Sequence, residues 1–129
     1  MIEITRRRID VGAVVASVRR EDAGAIVLFL GSVRADSGVA ALDYEAYGPM
    51  ARKVFAELVD RARSKFHVLD MSIVHRVGRV PVGGDSVAVA CSAAHRREAF
   101  DACAWAMDEV KRVVPIWKSE PPHPKRRSR

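Results

Sequence analysis

The chain has 129 residues, of which 49% are hydrophobic and 29% charged, a balance that excludes disordered and fibrous classes and at this length predicts a single core. A net charge of +6 would point to nucleic acid, but seven cations lie at the ends (Arg6, Arg7, Arg8, Lys125, Arg126, Arg127, Arg129), so the remainder carries −1. A basic excess confined to the ends reads as solvated segments.

Ile2 to Ile4 fit a short first strand, and Asp10 is placed to cap a helix over Val11 to Arg19 with Val11, Val14, Val15 and Val18 on one stripe. The run GAIVLFLGSV at Gly24 to Val33 predicts a central strand buried on both faces. Its apolar core, Ala25 to Leu30, falls far short of the roughly 20 residues of a membrane span. The segment TRRRID lacks the apolar stretch of a signal peptide, so a cytoplasmic protein with no membrane contact is expected.

Ala35 to Ala40 predict a loop, and Leu42, Tyr44 and Ala46 then alternate with Asp43, Glu45 and Tyr47 as in a half-buried strand. Pro49 suits the first turn of a long helix, whose inward positions run through Met50, Val54, Phe55, Leu58, Val59, Ala62 and Phe66. Leu69, Met71, Ile73, His75 and Val77 alternate, as do Val87, Val89 and Cys91, giving two strands joined by a turn-rich connection containing Gly78, Gly83 and Gly84. A last helix begins near His95, turns Ala99, Ala102, Cys103, Ala106, Met107, Val110 and Val114 inward, and stops at Pro115. The order of elements predicts an α+β fold with a mixed or mainly antiparallel sheet and two long helices. Residues 1–120 form one expected domain and residues 121–129, with the sequence PPHPKRRSR, a basic disordered tail.

No glycine-rich phosphate loop, CxxC, HExxH or GxSxG pattern is present. What remains is a set of cations beside element ends: Arg34 after the apolar strand, His95 and Arg96 at the start of the last helix, Lys111 near its end, and Lys118 after PIW. A helix start offers free N–H groups to an anion, and an arginine there can clamp phosphate through paired hydrogen bonds. On position alone the plainer reading, a helix-start histidine beside solvated cations, is the preferred one. Cys91, His95 and Cys103 would give zinc only three ligands, and the cysteines fall on core faces, so no metal is expected. His75 reads as a hydrogen-bonded core histidine, and Asp101, Asp108 and Glu109 as solvent-facing.

The segments GAIVLFLGSVR, LDYEAYGPMA, HRVG, SAAHRREAFDAC and MDEVKRVVPIWKSE, in this order, resemble the motifs of the molybdopterin synthase large-subunit family. The resemblance covers about 95 residues, and it is the co-occurrence of the motifs that is specific. It implies an α/β-hammerhead fold and a homodimer within a heterotetramer. Each large subunit would hold a small ubiquitin-like sulfur carrier, whose C-terminal Gly-Gly thiocarboxylate sulfurates cyclic pyranopterin monophosphate without any cofactor. By the same resemblance Arg34, His95, Arg96, Lys111 and Lys118 build the pocket and Phe29 and Met107 line it. Ser32, Val33, Ser119 and Glu120 lie in substrate-contacting stretches. Lys111 is the expected base or nucleophile, and Lys118 the group that orients substrate and holds developing charge. The competing expectation is a basic nucleic-acid or polyanion-binding module, but no RRM, KH or helix-turn-helix pattern accompanies the charge.

Overall fold

The computed structural model describes residues 1–35 and 40–113, together with the backbone of 116–119. Along the chain run β1 (Ile2–Thr5), α1 (Val11–Ser17), β2 (Ala25–Ser32), β3 (Ala41–Ala46), α2 (Gly48–Phe66), β4 (Asp70–Arg76), β5 (Gly78–Pro81), β6 (Asp85–Ala93), α3 (Arg96–Val113) and β7 (Ile116–Ser119). They form a four-stranded sheet in the order β1-β4-β6-β2 and a three-stranded sheet in the order β5-β3-β7. Only the β1–β4 pair is parallel. The α+β class, the mainly antiparallel pairing and the two long helices agree with the sequence. No helix among the described residues is long and apolar enough to cross a membrane.

Alternation explains how the larger sheet is covered. On one face Met71, Ile73, Val87, Val89 and Cys91 meet Phe55, Leu58 and Ala62 of α2 and Ala99, Ala102, Cys103 and Ala106 of α3. On the other, Val74, Ala88 and Ala90 meet Val14 and Val18 of α1, which Asp10 starts by accepting a hydrogen bond from Ala13 N at 3.1 Å. Strands β4 and β6 are therefore buried on both faces and are the central ones. The β2 run is not: it pairs only with β6 and lies at the sheet edge. Its apolar composition reflects contact above and below, since Ala25 and Val27 pack toward α2 and α3 and Ile26, Leu28 and Leu30 toward α1. Composition reports on faces and is blind to which lateral neighbours exist.

Other expectations need correction. The connection between β4 and β6 contains a strand, β5, which leaves the larger sheet and pairs with β3. Gly78 makes the exit with φ +87, a left-handed conformation that glycine adopts without strain. After α3, where the sequence marked only a helix stop, the chain forms strand β7, antiparallel to β3, while Val114, Pro115 and Glu120, most of the Ala35 to Ala40 loop, and the tail from residue 121 lie outside the described residues. Met50, placed on the inward stripe of α2, is exposed. Glu109 is not solvent-facing but nearly buried, bridging Arg112 at 2.8 Å and Arg61 of α2 at 3.4 Å.

Both cysteines are free and buried, as expected. They lie against each other where α3 crosses β6, with Cys91 Sγ donating to the Ala99 carbonyl at 3.1 Å and Cys103 Sγ reaching the Val89 carbonyl at 3.7 Å. The hydrogen bond with Cys103, together with burial, pushes the Cys91 thiol above its ordinary range.

Candidate functional site

The spacing Met107, Val110, Lys111 puts three side chains on one face of the last turns of α3. That face looks across the edge of the larger sheet, where Phe29 of β2 stands on the same side as Ala25 and Val27. Between them opens a cavity of about 480 Å³, lined among others by Phe29, Ser32, Tyr44, Met107 and Lys111. Phe29 is 39% exposed, a large apolar side chain in partial contact with water, and Lys111 lines the cavity from the solvent-accessible side of α3.

Backbone detail keeps this space open. At Gly31 the β2–β6 register slips, and a Cβ there would lie 2.6 Å from Val87 Cγ1, so a larger residue would intrude on the cavity wall. Ser86 Oγ donates to the Gly31 carbonyl at 3.1 Å and Ser32 Oγ to Asp85 Oδ1 at 2.9 Å, which fixes the bulge from both sides. The small sheet forms the adjoining side: Tyr44 lines the cavity, and its register partner on β7 is Lys118. The backbone of Lys118 and Ser119 is thereby brought beside the strand that carries Tyr44. Arg34 follows β2 at the same end and is exposed.

The structure thus brings Phe29, Ser32, Met107 and Lys111 together, with β7 alongside. It puts the Val33 side chain elsewhere, buried with Tyr44 and Val80 in a small cluster. The Val33 N–H donates to the Gly84 carbonyl at 2.9 Å and its own carbonyl accepts from Gly83 N at 2.8 Å, tying the end of β2 to the β5–β6 turn. Sequence reasoning missed Tyr44, His75, Ser86 and Val110 as lining residues. Periodicity marked the inward faces of their elements, but an inward face bordering a cavity has the same pattern as one filled by core.

His95 and Arg96 are not in this cavity. They border a separate recess with Gly24, Ala94 and Arg97 at the far end of the same β2–β6–α3 unit. Fifteen residues of helix separate Arg96 from Lys111, which at 1.5 Å per residue is roughly 22 Å. His95 is 81% exposed, with Nδ1 3.8 Å from Glu98. Gly24 is required at this end because a Cβ would stand 2.4 Å from the Ala94 carbonyl oxygen. No group of three or more potential metal ligands occurs among the described residues.

Comparison with known proteins adds to this geometry. Residues 4–113 match the family model described as MoaE protein. The chain is 47% identical over 122 residues to the molybdopterin synthase catalytic subunit of Thermoplasma volcanium, covering 92% of this chain and 89% of that one. A crystal structure of molybdopterin synthase from Staphylococcus aureus superposes with a TM-score of 0.90 at 37% identity, covering 95% of this chain and 91% of the other. A complex of subunits 1 and 2 of molybdopterin-converting factor from Helicobacter pylori shares the fold, with a TM-score of 0.83 at 22% identity and 96% and 86% coverage.

Proposed function

The chain belongs to the MoaE protein family, and from that premise we propose that it is the catalytic subunit of a molybdopterin synthase, a sulfurtransferase of molybdenum cofactor biosynthesis. It acts on cyclic pyranopterin monophosphate and takes sulfur from the thiocarboxylated C-terminus of a small carrier subunit. The observation that carries this reading is the placement of Lys111 on a cavity of about 480 Å³ with Phe29 and Met107 as apolar walls. That space suits a flat heterocycle, and the ammonium group suits its phosphate or the carrier's anionic end.

Lys111 is the reacting amine in this reading, and Lys118, carried on β7 opposite Tyr44, holds charge as it develops. In this reading Arg34 and Ser32, at the same end of the molecule, and Ser119 and Glu120, which follow Lys118 in sequence, contact substrate or carrier tail.

His95 and Arg96 join the site from a second copy of the chain. One copy keeps them roughly 22 Å from Lys111, too far for any side chain to close. The exposed edge of β2, with Phe29 partly in solvent, is a surface that a two-fold partner would cover. A homodimer with a carrier on each subunit follows, a heterotetramer. The test is to mix the protein with thiocarboxylated carrier and the pterin precursor and to look for dithiolene product by mass spectrometry. Product is expected, and its absence with a competent carrier would overturn the assignment.

A further inference from the structure

The cavity wall holds two buried polar residues that the proposed reaction leaves unused, Ser86 and His75. His75, next to the last residue of β4, is only 6% exposed. Its Nδ1 lies 2.8 Å from the carbonyl oxygen of Arg76. A carbonyl oxygen only accepts, so Nδ1 carries the proton and Nε2 presents a bare lone pair. Tyr44 holds the ring from the side, edge-on at 5.4 Å and 63°. Nε2 has no hydrogen-bond partner among the described residues, and it is not one of the fully occluded polar atoms. It therefore opens to the cavity.

The neighbouring lining groups differ from it in kind. Phe29, Val87, Met107 and Val110 are apolar, and Lys111 is the group assigned to the reaction. The Ser32 and Ser86 hydroxyls give their protons to Asp85 and to the Gly31 carbonyl and keep acceptor oxygens, and His75 is the lining acceptor that gaining a proton near neutral pH would turn into a donor. An enclosed acceptor without a donor is unfavourable, and buried polar atoms in native proteins normally find partners. A pterin offers donors, its ring N–H and amino groups, that an ionised phosphate does not, and a binding measurement made without the carrier separates them from the N–H groups of a carrier tail.

We propose that His75 is a substrate-recognition residue, whose Nε2 accepts a hydrogen bond from a ring N–H or amino group of the pterin and holds the heterocycle between Phe29 and Met107. This inference rests on the reading of the cavity as a pterin phosphate site. Burial pushes the His75 pKa down, partly offset by the bond to Arg76, and so favours the neutral ring. Protonation at Nε2 would turn the acceptor into a donor, so pterin binding weakens as pH falls through the His75 pKa. Tyr44 from β3 faces the ring, Lys111 from α3 and Ser86 from β6 line the same cavity, and Val87 on β6 and Ile4 on β1 are its register partners. Arg76 follows in sequence, and Lys118 stands opposite Tyr44 on β7.

The experiment is equilibrium binding of cyclic pyranopterin monophosphate to the purified protein from pH 8 to pH 5.5. His75→Asn retains an N–H placed like Nδ1 and lacks Nε2; His75→Gln places an amide where Nε2 stands and does not titrate. At pH 8, His75→Asn is expected to bind the pterin about five- to tenfold more weakly, with unchanged competition by inorganic phosphate and an unchanged melting temperature. The wild type should show an acid step in affinity that His75→Gln lacks. Wild-type affinity in His75→Asn, or an acid step retained in His75→Gln, would overturn the role of His75 while leaving the functional reading intact. Failure of the wild type itself to bind the phosphopterin would overturn that reading and this inference with it.

Discussion

The two ends of α3 present similar cations in opposite surroundings. At the start, His95, Arg96 and Arg97 border an open recess beside Gly24, and His95 is largely in solvent. At the finish, Lys111 shares a walled cavity with Phe29, Met107 and His75. In water a cation gains little from a single anion, whereas beside apolar walls the same charge interacts through a lower dielectric. The comparison teaches that the Lys111 end is walled within one chain, while the His95 end is not, and under the proposed function it would need a second surface to close over it.

The sharpest break would come at the enclosed end. Lys111→Ala is expected to lower turnover about a thousandfold while leaving the melting curve nearly unchanged, because an exposed-side lysine contributes little to stability. Lys111→Arg should fail too, since guanidinium keeps its proton. Steady-state product formation at saturating carrier and precursor is the measurement, and full activity in Lys111→Ala would remove Lys111 from the reaction.

A smaller loss, roughly 10- to 100-fold, is expected for Arg96→Ala, in which binding charge goes and the reacting group stays. Co-refolding Arg96→Ala with Lys111→Ala should restore about a quarter of wild-type sites, because random dimers unite one intact pair of half-sites in every mixed pair. If mixing restores nothing, both residues act within one chain or in no common site.

Next in size is a backbone effect at the open end. Gly24→Ala should destabilise the fold by about 1–3 kcal/mol in urea melts, since the new Cβ meets a carbonyl oxygen rather than a side chain that can swing away. The smallest effect concerns Glu109, whose carboxyl is held below its usual range by hydrogen bonding to Arg112, with Arg61 adding to the field. A lowered folded pKa gives stability that is present above the ordinary carboxylate range and is lost as pH falls through the lowered value. Arg112→Ala should therefore flatten the acid limb of stability between pH 5 and pH 3 by a small amount, read from urea midpoints. An unchanged acid limb would mean that the ion pair is fully screened.

Much of the fold was legible because it depends on local rules. Asp10 as cap, Pro49 in the first turn of α2 and the alternation of β4 and β6 all appear where the residues predicted them. The errors share a cause: they concern neighbours that sequence pattern does not encode. The β2 run shows contact above and below but not that its flank is open. Gly78 was legible as a break, yet not that the four residues beginning with it join another sheet. At the site, Lys111, Phe29 and Met107 fall together as the family resemblance implied. His95 and Arg96 lie in a separate recess, and only the proposed second chain would bring them to Lys111, while His75 looked like core because a cavity-facing residue is still an inward one.

The buried cysteines have a consequence for sulfur chemistry. Cys91 and Cys103 are sealed between β6 and α3, at 0% and 3% exposure, and they are the chain's complete set of thiols. A protein proposed to handle sulfur therefore offers none of its own to the reaction: no persulfide relay or mixed disulfide can form on it without unfolding α3 from the sheet. Under the proposed function sulfur passes from donor to acceptor with no protein thiol between them, and thiol-alkylating reagents that silence persulfide-forming sulfurtransferases should leave this one working.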